Sequence, residues 1–189
     1  MTTALQGLLR RLIGILDEAG VPFMIAGSFA SAAHGVPRTT QDIDVVIDPA
    51  GLDVLDALVR SMPKELYYVD LDAARDAFRR RSMFNVIDLG SGWKVDLILR
   101  KNRDFSREEF SRRTRVSILD VSLFAATAED TIVAKLEWSV RGGGSERQRR
   151  DVAGILATTG DSLDRGYIER WVVALGLESE WTEAQQVRP

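Results

Sequence analysis

The chain has 189 residues, 45% of them hydrophobic, with no cysteine, one histidine and a formal net charge of −3. That length suits one domain or a catalytic core with a small helical appendage, and the apolar share supports a core without covalent staples. Lack of cysteine excludes disulfides, thiolate zinc sites and cysteine nucleophiles, and the charge balance excludes a polycation.

In chain order, Leu5, Leu8, Leu9, Leu12, Ile13 and Leu16 recur at helical spacing, and Gly20 closes the pattern as a C-cap does. Arg10 and Arg11 precede an apolar stretch, but Asp17 and Glu18 follow at once, which is not a signal-peptide pattern. No run approaches the ~18 apolar residues of a membrane span. The expectation is a cytoplasmic protein with no membrane partner.

Residues 23–26 read as a short buried strand ending at Gly27-Ser28, and 29–34 as a helix stopped by Gly35 and Pro37. Residues 42–47 read as a second strand. Pro49 is placed as the N1 proline of a helix over 52–61. A weaker strand over 65–69 and a helix over 71–81 follow. Residues 84–88 and 93–99 flank Gly90-Ser91-Gly92 as a hairpin. Residues 100–115 carry seven bases against three acids, a local +4 that suits phosphates or a solvated helix face equally well. Residues 115–121 resemble a strand, and Thr127 with Asp130 opens a helix. Beyond Gly142-Gly143-Gly144 the pattern is helical, over 146–157, 163–175 and a short last segment. The predicted division is an α/β (α+β in stricter terms) core over 1–122, a mixed twisted sheet of about five strands with flanking helices. A helical C-terminal bundle over 123–189 completes a cleft.

The chemistry concentrates in Gly27-Ser28, thirteen residues, then Asp42-Ile43-Asp44-Val45-Val46. On a strand, Asp42 and Asp44 share one face while Ile43 and Val45 take the other. Two neighbouring carboxylates in an apolar strand repel and lose hydration unless a cation compensates. Magnesium, which accepts a few carboxylates plus phosphate oxygens, is the fitting partner, with manganese as a substitute. Asp96 interrupts the apolar strand 94–99, and an adjacent strand brings it beside the pair. Three carboxylates suit two metals that clamp the attacking and leaving oxygens of a phosphoryl displacement. Gly27 at a strand-to-helix turn lets backbone approach a phosphate, and the Ser28 hydroxyl adds a donor.

These residues carry a resemblance. Ile25-Ala26-Gly27-Ser28, Gly35, Arg38-Thr39-Thr40 and Asp42-Ile43-Asp44-Val45 resemble the first motif of the nucleotidyltransferase superfamily related to DNA polymerase beta. The fuller string is similar to its minimal, AbiEii-like branch of toxin–antitoxin and phage-defence operons. Phe84-Asn85, Lys94-Val95-Asp96-Leu97, residues 129–136 and Arg149-Arg150-Asp151-Val152 extend the likeness over about residues 20–156. The resemblance implies a nucleotidyltransferase fold and metal-dependent transfer of a nucleoside monophosphate from an NTP to a hydroxyl, the 3′ end of tRNA among the acceptors. It implies a toxin or defence role with a cognate antitoxin or operon partner. It maps catalytic roles onto Asp42, Asp44, Asp96, Lys135 and Asp151, with Asp42, Asp44 and Asp96 as metal ligands. Nucleotide contacts fall on Gly27, Ser28, Arg38, Thr40 and Lys135.

Other readings stand beside this one. Lys135 suits triphosphate neutralisation or a plain surface position, Arg38 a γ-phosphate or solvent, and Asp151 catalysis or a helix-face ion pair. His34 reads as a helix-end residue, and Trp93, Trp138, Trp171 and Trp181 mainly as core or docking aromatics. Alternative functions are a non-catalytic nucleotide-binding partner or antidote subunit, and an antibiotic-type small-molecule nucleotidylyltransferase.

Overall fold

The structure is a computed structural model that describes residues 2–35, 40, 42–141 and 145–187. The chain divides into two compact units, one of Met1–Ile25 with Thr40–Ala125, the other of Ala26–Thr39 with Ala126–Pro189.

The first unit is a seven-stranded mixed sheet with helices. Its strands are β1 (Phe23–Ile25), β2 (Asp42–Ile47), β3 (Tyr67–Val69), β4 (Met83–Asp88), β5 (Lys94–Leu99), β6 (Thr114–Ile118) and β7 (Val121–Ala125), in the order β3-β4-β5-β2-β1-β7-β6. The β2–β5 and β1–β7 pairs are parallel and the others antiparallel. Alternation decides which face is covered. Ile43, Val45, Ile47, Val86, Val95, Leu97 and Leu99 are fully buried on one side. Helices α1 (Thr2–Glu18), α3 (Leu52–Ser61) and α4 (Leu71–Arg80) pack as a layer, α1 against β7 and α3, α4 against α3, β4 and β5. The heptad-like leucines of α1, Leu8, Leu9, Leu12 and Leu16, are at most 1% exposed. Each contributes roughly 1.5–3 kcal/mol by leaving water. Gly20 adopts φ +62° and lets the Val21 N–H reach the Leu16 carbonyl at 2.9 Å, closing α1 as the sequence predicted. Asp70 caps α4 through the amides of Asp72 and Ala73. Helix α5 (Asp104–Arg112) carries Arg107 and Arg112 of the arginine-rich run.

Two local expectations fail. The sheet has seven strands rather than about five, because the stretch read as one strand over 115–121 is the start of a hairpin, β6–β7. Its turn residues Leu119 and Asp120 both take positive φ, at 50° and 57°. Asn-Gly usually announces that geometry, and Leu-Asp does not. The Gln6 amide donates to the Leu119 carbonyl at 2.7 Å and helps hold the turn. Pro49 is not at N1, since α3 starts at Leu52 with Gly51 as its N-cap.

The second unit is helical: α2 (Gly27–His34), α6 (Ala128–Arg141), α7 (Glu146–Thr159), α8 (Arg165–Leu175) and α9 (Glu178–Gln186), with a 3₁₀ turn at Gly160–Ser162. Its core is Ile132, Val133, Leu136, Val152, Ile155, Ile168 and Val172, each at most 2% exposed. Helix α2 packs on α6 and α7. Gly35 explains how closely: a Cβ there would stand 2.9 Å from the Ile155 nitrogen and 3.0 Å from the Gly154 carbonyl carbon. Thr127 caps α6 by accepting from the Asp130 amide at 3.2 Å, as expected. The Asp130 carboxylate, fully buried, accepts from the Thr127 hydroxyl and from the Tyr167 hydroxyl of α8. Among the described residues no helix is long and apolar enough to cross a membrane.

Candidate active site

The acids are brought together by register. In the parallel pair β2–β5, Asp44 is the partner of Asp96 and Asp42 the partner of Lys94. Partners across a pleated sheet share a face. Asp42 and Asp44 are half-buried while Ile43 and Val45 between them are wholly buried, so the alternation read from the sequence is the one observed. Asp96 is 5% exposed, one of few buried acids among the described residues.

Asp96 and Asp42 each accept from neighbouring side chains. Asn85, opposite Asp96 on β4, donates from Nδ2 to Asp96 Oδ1. Lys94 Nζ donates to Asp96 Oδ2 at 3.0 Å. Thr40 Oγ1 donates to Asp42 Oδ1 at 2.7 Å. The Lys94 ammonium is held above the ordinary lysine value, first by its hydrogen bond to Asp96. Burial opposes this, and the charges of Asp96, Asp42 and Asp44 reinforce it. One ammonium therefore feels all three carboxylates and eases their mutual repulsion. Among the described residues, no three His, Cys, Asp or Glu side chains are grouped so as to hold a metal ion as they stand.

Lys94 and Asn85 were quoted in the sequence only as motif neighbours, with no role. Parity puts Lys94, two residues from Asp96, on the same face, but its contact and Asn85's place opposite Asp96 come from the strand register.

The remaining predicted residues belong to the helical unit. Gly27 takes φ +57°, a conformation that favours glycine, and its carbonyl accepts from Ser31 Oγ at 2.9 Å. Ser28, in the first turn of α2, is 7% exposed. Lys135 of α6 and Asp151 of α7 form a buried ion pair, Nζ to Oδ2 2.7 Å, with side chains 6% and 7% exposed. The structure thus joins two residues the sequence weighed separately. Lys135 is not a surface lysine. His34, through Nε2, meets the Ala126 carbonyl at 2.7 Å and ties the end of α2 to the segment before α6. Arg38 lies outside the described residues.

The arginine-rich run is largely engaged within its own unit. Arg100 donates to Asp48 at 2.8 Å, Arg103 to Ser106 at 2.9 Å, and Arg107 to Asp104 and Asn102. Arg113 donates to the Phe110 carbonyl at 2.6 Å and stacks over Phe110 and Phe124, while Arg115 also stacks over Phe124.

No family model matches the chain, and no curated protein matches it. Solved structures do. The antibiotic-resistance factor ANT(2'')-Ia in solution is similar over 98% of both chains, with TM-score 0.58 and 15% identity. The crystal structure of ANT(2'')-Ia with adenylyl-2''-tobramycin matches over 93% of this chain and 97% of that one, with TM-score 0.57 and 16% identity. An antigenic nucleotidyltransferase-like protein from Paracoccidioides brasiliensis matches over 99% and 92%, with TM-score 0.52 and 15% identity. At these identities the likeness is one of fold: the chain has the mixed α/β nucleotidyltransferase fold that the sequence resemblance implied.

Proposed function

We propose that the chain is a nucleotidyltransferase, moving a nucleoside monophosphate from an NTP to a hydroxyl of an acceptor. The observation that carries this is the β2–β5 register, which sets Asp44 opposite Asp96 and Asp42 two residues away on the same face. The donor chemistry fits magnesium or manganese, since all three groups are hard oxygen ligands. Bound by Asp42, Asp44 and Asp96, such a metal supplies the positive charge that neutralises the triphosphate and lowers the pKa of the acceptor hydroxyl. Lys94 must then leave Asp96, and its ammonium becomes available to a phosphate oxygen.

In the reaction the acceptor oxygen bonds to the α-phosphorus as the bond from that phosphorus to the α–β bridging oxygen breaks. Pyrophosphate departs with the electron pair and the acceptor proton passes to water beside Asp96. Asn85 keeps the Asp96 carboxylate oriented. Thr40 does the same for Asp42. Gly27 and Ser28 are assigned to the phosphates on the strength of the motif resemblance and because the dipole at a helix N-terminus favours an anion. Lys135 with Asp151 is assigned to the helical unit's part in nucleotide binding on the strength of the motif resemblance. A toxin or defence role, tRNA as acceptor and an antitoxin partner rest on that resemblance alone.

A second reading concerns the acceptor. The arginine run, which by sequence suits phosphates or a solvated helix face, is bonded and stacked within its own unit. The fold likeness extends over nearly all of a chain solved with an adenylylated aminoglycoside. Both favour a small-molecule acceptor over RNA. The test is incubation with each α-labelled NTP, total tRNA, protein extract and an amino-sugar panel, beside Asp44→Asn. Label entering one pool with wild type only supports the reading; no label in any pool overturns it.

A further inference from the structure

The seven-stranded sheet has two edges, β3 and β6, and they are not equally guarded. An edge strand presents main-chain N–H and C=O groups to any chain that can extend the ladder. Short strands, prolines, lysines and bulges are the usual protection. Strand β3 has three residues, and a turn sits directly before it, where the Tyr67 N–H already donates to the Pro63 carbonyl at 2.9 Å. Strand β6 has five residues, pairs with β7 in an unbroken register, and carries no proline or lysine. Among the described residues it has no strand on its other side, and Arg115 and Ser117 are exposed.

The turn fixes which groups face outward. With Leu119 and Asp120 both at positive φ, the two-residue turn closes on a hydrogen-bonded Ile118–Val121 pair. Alternation from that pair directs the main-chain groups of Val116 and Thr114 toward β7, and those of Arg115 and Ser117 away from it. Arg115 carries the only charge in the strand, and its guanidinium is drawn back over the Phe124 ring of β7, 4.7 Å from the ring centroid. The edge therefore lacks the outward charge that guards many others.

The strand is also complementary to itself. Placed antiparallel about a two-fold axis through Val116, two copies set Arg115 opposite Ser117 and Thr114 opposite Ile118, with Val116 meeting its own counterpart. Arg115 of each copy then exchanges both main-chain bonds with Ser117 of the other. No like charges fall directly opposite one another. Thr114, Val116 and Ile118, which share the other face, are all β-branched, the kind favoured in strands and in cross-strand pairs. One patch serves both partners, as a closed two-fold contact requires. We infer that β6 is a dimerisation edge and that its partner is β6 of a second copy of this chain, the two sheets joining into one. This is independent of the proposed transfer reaction.

The test is made on the full-length protein. Light scattering after size-exclusion chromatography gives a mass of two chains for wild type and of one chain for Ser117→Pro. That substitution removes an outward N–H and leaves the β6–β7 ladder whole, so the variant stays folded by circular dichroism. The chain has no cysteine, which makes a single introduced one unambiguous. Across the two-fold axis the two Val116 positions form a non-hydrogen-bonded pair, ~4.5 Å between Cα atoms, within disulfide range. Val116→Cys therefore crosslinks on oxidation at least ~10-fold faster than Ser111→Cys on the exposed surface of α5, the reaction being internal to the dimer. A one-chain mass for wild type at every concentration overturns the inference, as does a dimer that a folded Ser117→Pro leaves intact. Equal crosslinking of the two cysteine variants overturns it too, and decides the matter should Ser117→Pro fail to fold.

Discussion

Lys94 Nζ lies 3.0 Å from Asp96 Oδ2, two residues along the same strand and on the face that also carries Asp42 and Asp44. The Lys94 ammonium thus stands on ground that a divalent ion would need. Removing it takes a positive charge away from three carboxylates, so Lys94→Met lowers the melting temperature of the metal-free protein by a few degrees. The same variant shows a larger stabilisation by added magnesium than wild type, read in a thermal-shift titration. Equal magnesium responses in the two proteins would show that Lys94 and the metal do not compete.

The sign of the pH effect follows from the same contact. The Lys94 pKa is raised in the folded protein, chiefly by its hydrogen bond to Asp96. Its stabilising contribution is fully present below the ordinary lysine value of about 10.4 and is lost as pH rises through the raised one. Between pH 6 and 9 the stability difference between wild type and Lys94→Met is flat. A slope across that window would assign the effect to another group.

Asp44→Asn separates chemistry from folding. Asp44 is half-buried opposite Asp96, and neutralising it relieves like-charge repulsion. Transfer falls at least ~100-fold, while the metal-free melting temperature holds or rises. A large drop in melting temperature would make Asp44 a structural residue.

The core of this site was legible because strand parity is a strict rule: Asp42 and Asp44 had to share a face, and an isolated acid in the apolar strand 94–99 had to be noticed. What parity could not supply was the partner of each residue. Asn85 and Lys94 emerge only when β4, β5 and β2 are in register, a long-range fact. The Lys135–Asp151 pair depends on the packing of α6 on α7 and has no local signature. The β6–β7 turn was missed because Leu119-Asp120 is chemically unlike the usual turn residues.

Gly35→Ala tests the packing of the helical unit. The added methyl meets backbone of α7, which cannot rotate away as a side chain can. Overpacking of this kind costs about 1–3 kcal/mol, measurable by urea denaturation. A neutral result would show that α2 and α7 are less closely packed than their geometry indicates.

Lys135 and Asp151 admit a cleaner separation of structure from function. Breaking a buried pair by removing one partner costs about 3–5 kcal/mol, because the other charge loses its buried counter-ion. Lys135→Met and Asp151→Asn singly therefore destabilise strongly, and Lys135→Met/Asp151→Leu recovers most of the loss. If the pair serves the nucleotide, the recovered double variant is folded and has a raised KM for NTP. A recovered variant with wild-type kinetics would confine the pair to holding α6 against α7.

The final prediction separates the two acceptor classes by salt. An RNA acceptor displaces counterions, and its binding falls with a log–log slope near −0.7 per phosphate contacted. A small acceptor carries few charges and gives a shallow slope. Arg113 holds the Phe110 carbonyl and stacks over Phe110 and Phe124, while Arg115 covers the same Phe124 ring. Arg113→Ala/Arg115→Ala accordingly lowers the melting temperature and leaves KM for a small acceptor and its salt slope unchanged. The readouts are KM for labelled transfer between 50 and 300 mM salt, on the order of a Debye length from 14 to 6 Å. A steep slope that the double variant flattens, with KM for NTP unaffected, would instead place RNA phosphates on these arginines and return the acceptor to tRNA.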